Sequence, residues 1–92
     1  MDMRLDKFLK VSRLIKRRTL AKEACDRGQV TVNGRVARAG TVIKPGDMVT
    51  IDLGGRWLKV EIVAVSENVP ARQAAGLYRI VEEKIIREPE VY

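Results

Sequence analysis

Ninety-two residues, 46% of them hydrophobic and 33% charged, suit one small folded domain with a modest core and rule out a disordered chain. No apolar run approaches the roughly 20 residues of a membrane span and no secretory signal opens the chain, so a cytoplasmic protein is expected. The formal net charge is +6, while a lone Cys25 and the absence of histidine leave no disulfide framework, no zinc set and no histidine-based catalytic centre.

The positive charge is concentrated at one end. Met1 to Arg35 carry ten Lys/Arg against four acids, and the remaining 57 residues hold eight of each sign and cancel. A charge excess confined to one amphipathic segment presents a cationic face, and polyphosphate is the commonest partner of such a face. RNA binding is the first functional expectation.

In chain order, Leu5, Phe8, Leu9, Val11 and Ile15, with Ser12 on the same stripe, show the spacing of a helix with one buried face. Lys7, Lys10 and Arg13 then project away from the core. Asp6 stands at the start of this helix, where a carboxylate favours the positive end of the dipole and can accept backbone N–H groups; direct RNA contact is the alternative. Lys16, Arg17 and Arg18 interrupt the stripe as a cationic elbow. A second helical pattern follows at Leu20, Ala21, Ala24 and Cys25, and Gly28 supplies a left-handed stop. Cations at a helix entry are electrostatically unfavourable until an anion arrives, and phosphate would relieve them.

After Gly28 the period changes to two. Gln29 to Val32 alternates, Asn33-Gly34 is a strong hairpin signal, and Arg35 to Ala37 begin the return strand. Lys44-Pro45-Gly46-Asp47 is a second turn, leading into an alternating strand from Met48 to Leu53 that places Val49, Ile51 and Leu53 on one face. Gly54-Gly55 ends it. Trp57, Leu58, Val60, Ile62, Val63 and Val65 predict another β-rich run, Ala71 to Ala75 a short helical turn, and Leu77 to Val81 a final strand before a frayed end from Glu82 to Tyr92.

Several of these segments together resemble a known family. R-L-D-K-F-L at Arg4 to Leu9, S-R at Ser12-Arg13, K-R-R-T-L-A at Lys16 to Ala21, Gly28 followed by Q-V-T-V-N-G at Gln29 to Gly34, and K-P-G-D at Lys44 to Asp47 are similar to the RNA-binding domain named after small-subunit ribosomal protein S-four. The resemblance implies an α+β fold of the S-four (alpha-L) type, with two short helices against a small curved antiparallel sheet. Residues 1–53 would form that domain, 54–83 a β-rich extension packed on it, and 84–92 a flexible tail.

Nothing beyond residue 53 is long enough for a catalytic domain, which implies a free-standing module. Among stand-alone members, the opening resembles the factors of bacterial ribosome-associated quality control. What this implies is a non-catalytic protein, monomeric and free of cofactor and metal, that binds ribosomal RNA of the large subunit and the peptidyl-tRNA retained there after stalling. It would support C-terminal alanine tailing by a partner factor that delivers alanyl-tRNA. A near relative is the fifteen-kilodalton heat-shock ribosome-binding protein, with a longer basic tail; here the tail is acidic, with Glu82, Glu83, Glu88 and Glu90. Recycling of blocked large subunits is therefore an alternative role, and a protein-interaction role of the extension around Trp57 and Tyr78 is another.

The family's RNA-contacting arginines fall on Arg4 and Arg18. Lys16, Arg17, Lys7, Arg13 and Lys22 join them on charge alone. Replacing both Arg4 and Arg18 with alanine is expected to leave the thermal unfolding midpoint nearly unchanged, as substitutions of exposed residues usually do.

Overall fold

The computed structural model describes residues 2–85. A short strand β1 (Met3–Arg4) leads directly into helix α1 (Leu5–Val11), which buries Leu5, Phe8 and Leu9. Seven residues are too few for a helix that is stable alone, so burial of those three side chains, worth roughly 1.5–3 kcal/mol each, is what holds it. The helix is one turn shorter than the apolar stripe predicts. Ser12 caps it, its hydroxyl donating to the Leu9 carbonyl at 3.2 Å, and Arg13 takes a left-handed φ of 63° just beyond. Glycine usually occupies that position, so the stop carries no glycine signal. Ile15 still reaches the core, by way of a turn.

Helix α2 (Arg18–Asp26) packs on α1 through Ala21, Ala24 and Cys25, small side chains that let the two backbones approach. Leu20, predicted on the buried face, is 48% exposed, at the edge of the arc that Ala21, Ala24 and Cys25 fill. The end of α2 follows expectation. Arg27 caps it, Gly28 adopts φ 74°, its N–H donates to Cys25 at 3.0 Å, and the Gln29 N–H donates to the Ala24 carbonyl at 2.9 Å, the double closure of a Schellman turn. Cys25 is buried, and burial first, then the charges of Asp6 and Asp26, pushes its thiol up to about 11. A thiol so hard to ionise is a packing group.

The helices lie against an antiparallel sheet of five strands in the order β3 (Arg35–Val36), β2 (Val30–Val32), β5 (Met48–Asp52), β6 (Arg56–Ile62), β7 (Tyr78–Ile85). The remaining strand, β4 (Val42–Ile43), pairs with β1, opposing Met3 to Ile43 and Arg4 to Val42. Asn33 and Gly34 both have positive φ, 52° and 84°, as the tight hairpin between β2 and β3 requires. Asn33 does more than turn the chain. Its side chain donates to Asp47 at 3.1 Å and accepts from the Met48 N–H at 3.0 Å, tying the first turn to the second.

Alternation in β5 and β6 buries Val49, Ile51, Leu58, Val60 and Ile62, most of them in one core with Phe8, Leu9, Val30 and Ile43. Leu53 and Val63 leave that pattern. Both lie beyond the paired strands and are exposed, since the chain turns away at Gly54 and after Ile62. A 3-10 helix (Ala71–Leu77) then carries the chain to β7.

The last strand is longer than predicted. Glu82 to Ile85, expected to fray, continue β7, and residues 86–92 of the expected tail lie outside the described residues. Cross-strand side chains account for the extension: Lys84 lies 5.3 Å from the centre of the Trp57 ring, and Arg56 bonds Glu83 at 2.6 Å. Val81 is the extra residue of a bulge, with Lys59 opposite Glu82 and Val60 opposite Ile80, so the strand predicted to stop at Val81 instead continues past it. Tyr78 packs on the edge of the core, and Trp57 is half-buried.

Candidate nucleic-acid interface

Three elements of the cationic segment converge on one carboxylate. Arg4 is fixed by the pairing of β1 with β4, Asp6 lies in the first turn of α1, and Arg18 opens α2. Asp6 is 3% exposed. Its Oδ1 accepts the Lys7 N–H at 2.8 Å and Arg4 Nε at 3.2 Å, and its Oδ2 accepts Arg18 Nε at 3.1 Å. The two arginines, fourteen residues apart in the chain, are thereby seated on the two oxygens of one buried group. Asp6 does open the helix, as predicted, but its larger role is to join α1 to the start of α2.

The backbone around this seat is closed by a return segment. The Leu5 and Asp6 N–H groups donate to the carbonyls of Thr41 and Ala39 at 2.8 and 3.1 Å, which together with the Lys7 N–H on Asp6 satisfies three donors of the helix entry. Against the same loop lies the Arg4 guanidinium, whose Nη2 is 3.6 Å from where a Cβ at Gly40 would stand.

Burial of Asp6 pushes its carboxyl up, but the bonds from Arg18, Arg4 and the Lys7 N–H, with the charge of Arg18, outweigh it and hold the group below its ordinary 3.8. A carboxylate whose folded pKa lies below the unfolded value contributes stability that is fully present above about pH 4 and is lost as pH falls through the folded pKa. Acid denaturation followed by circular dichroism should therefore show a stability decline below about pH 4 that is reduced in Asp6→Asn. An identical acid limb in both proteins would rule out the ion pairs as the cause.

The other candidate cations are distributed differently. Lys16 and Arg17 are exposed in the elbow before α2, and Lys22 stands one turn beyond Arg18 on the same helix and is exposed. Lys7 is engaged by Glu67 at 3.2 Å, from the loop after β6, so its charge is partly neutralised. Arg13 lies past the other end of α1, beside Glu67, Asn68 and Val69, away from the Arg4–Arg18 seat. An exposed cation not selected from the sequence, Arg38, sits in the loop that supports Arg4. Its only signal is tertiary: the loop folds back on α1 from more than thirty residues away.

Among the described residues, no protein group accepts a hydrogen bond from the Nη atoms of Arg4 or Arg18, whose side chains are 54% and 49% exposed. Their outer edges are free to grip the two oxygens of a phosphate. No helix among the described residues is long and apolar enough to cross a membrane.

The S4 domain family model matches residues 3–49, which hold this site. The chain is 57% identical over 88 residues to the RQC P-site tRNA stabilizing factor of Halalkalibacterium halodurans, covering 96% of this chain and 100% of the relative. It is 46% identical over 86 residues to the protein of that name from Bacillus subtilis, covering 94% and 100%. Among solved structures, the trimeric heat shock protein 15 of Vibrio cholerae superposes with a TM-score of 0.82 at 30% identity, over 88% of this chain and 83% of that one.

Proposed function

The chain belongs to the S4 domain family and, within it, to the RQC P-site tRNA stabilizing factors, and from that premise we propose that it binds the large ribosomal subunit holding a stalled peptidyl-tRNA and keeps that tRNA in place. In this role it acts in the cytoplasm as a monomer and does no chemistry. It supports alanine tailing of the nascent chain by a partner that brings alanyl-tRNA.

The observation that carries this is the full-length likeness to proteins so named, and the exposed guanidinium edges of Arg4 and Arg18 supply a physical means of gripping RNA. Lys16, Arg17 and Lys22 add charge around them, and Lys7 and Arg13 contribute less because acids or distance separate them from the pair.

A second role is favoured by the similarity to heat shock protein 15, namely recycling of blocked large subunits. Sedimentation of the tagged protein, with sequencing of co-migrating RNA and assay of alanine tails in a deletion strain, tests both. We expect large-subunit ribosomal RNA and tRNA to co-migrate and tails to disappear on deletion. Co-migration with tails intact would turn the assignment toward recycling; a protein that sediments free of ribosomal RNA would overturn both.

A further inference from the structure

We propose that Asp6 is a positioning residue for RNA binding: from its buried seat it holds Arg4 and Arg18 by their Nε edges, so that both Nη edges stand preformed toward the phosphodiester backbone of one RNA segment. This deepens the function proposed above and rests on it.

An acidic group at the centre of an RNA-binding surface is at first sight misplaced, because it repels phosphate. The geometry resolves the conflict. Both oxygens of Asp6 are consumed, Oδ1 by the Lys7 N–H and Arg4 and Oδ2 by Arg18, and the group is 3% exposed, so its charge is turned inward. In return it brings two like charges together and fixes side chains that would otherwise sample many rotamers. Each guanidinium uses only Nε for the seat, and Arg4 is further confined against Gly40. Lysine could satisfy Asp6 through its ammonium but would then have no second edge to present. A side chain ordered before binding does not have to be ordered at the moment of binding, and that difference appears as affinity.

Plain electrostatics and positioning predict opposite signs for one substitution. Asp6→Asn removes a negative charge from a cationic face, which by charge alone tightens RNA binding. It also replaces an acceptor oxygen by a donor NH2, so one arginine loses its seat. We expect affinity for purified bacterial large ribosomal subunits, measured by anisotropy of labelled protein at a temperature where circular dichroism shows each variant folded, to fall by about ten-fold or more. Glu23→Gln, the same charge change at an exposed site on α2, should bind as tightly as the parent or tighter.

Arg4→Lys with Arg18→Lys keeps both charges and a cation beside Asp6, and is expected to lose affinity to a similar extent. In the free parent, the two Nε–H groups should give slowly exchanging 15N NMR signals at neutral pH. These two measurements decide the matter if Asp6→Asn fails to fold. Parent-like or tighter binding by Asp6→Asn or by the double lysine variant would overturn positioning while leaving RNA binding intact, as would freely exchanging Nε–H groups. Failure of the parent itself to bind subunits would instead overturn the function on which the proposal rests.

Discussion

Replacing Arg4 and Arg18 together with alanine is expected to abolish large-subunit association and also to lower the thermal unfolding midpoint by roughly 10–20 °C. Exposure alone predicts almost no change in stability, since half-exposed arginines usually tolerate truncation within about 0.5 kcal/mol. Their partner decides otherwise. Asp6 is buried, and without the arginines its carboxylate keeps only the Lys7 N–H. Stripping a buried charge of its partner costs about 3–5 kcal/mol; because the outer ends of these arginines reach water, roughly 2–3 kcal/mol is the better expectation, and about 4–8 °C follows per kcal/mol in a domain of this size.

Either single substitution leaves one arginine on the carboxylate, so the double variant should lose more than the two singles combined. Binding is to be measured below the lowered midpoint. Arg72→Ala with Arg79→Ala removes the same charge; Arg79 pairs with Glu61, which is partly solvated, so only a small stability change is expected. Association weakened equally by that control would make net charge, not a site, responsible. An unchanged midpoint in the Arg4/Arg18 variant would show that the seat on Asp6 does not form in solution.

The second large effect is expected from salt. With roughly four to six phosphate contacts by Arg4, Arg18, Lys16, Arg17 and Lys22, log K should fall against log salt with a slope of about −0.7 to −0.9 per contact, so that affinity drops by roughly fifty- to two-thousand-fold between 50 and 200 mM. The charge distribution is the reason: all of the net +6 arises within Met1 to Arg35. Filter binding or anisotropy over that range gives the slope directly. A flat titration would show that the cations are not the source of affinity, and a slope reduced by about one in Arg17→Ala would assign one phosphate to that residue.

Much of the molecule was legible as pattern. Alternation from Met48 to Leu53, the β-rich run from Trp57 to Val65, the Asn33-Gly34 hairpin and the Gly28 stop are local properties, governed by residues within a turn or two, and the structure bears them out except that Leu53, Val63 and Val65 lie beyond the strand ends. Failures occurred where a local signal was missing or misleading. Arg13 follows α1 in a left-handed conformation with no glycine to signal it, and Glu82 and Glu83, which read as tail, continue β7 past the Val81 bulge. The pairing of Met3–Arg4 with Val42–Ile43 joins segments too short to carry any periodicity.

By itself the sequence determined the helical and alternating patterns of a small α+β protein and the gathering of its charge in the first thirty-five residues, because composition, period and turn chemistry are written residue by residue; the likeness of its motifs to the S4 domain added the expectation of an RNA-binding surface there. Only the tertiary structure decided that Asp6, indistinguishable in sequence from a helix-opening acid, would be buried between Arg4 and Arg18 and turn two exposed cations into members of a stabilising seat. The reason is physical: a carboxylate's role depends on how much water it loses and which donors meet it, and both are set by α1 packing on α2 beneath a loop brought from residues 38–41.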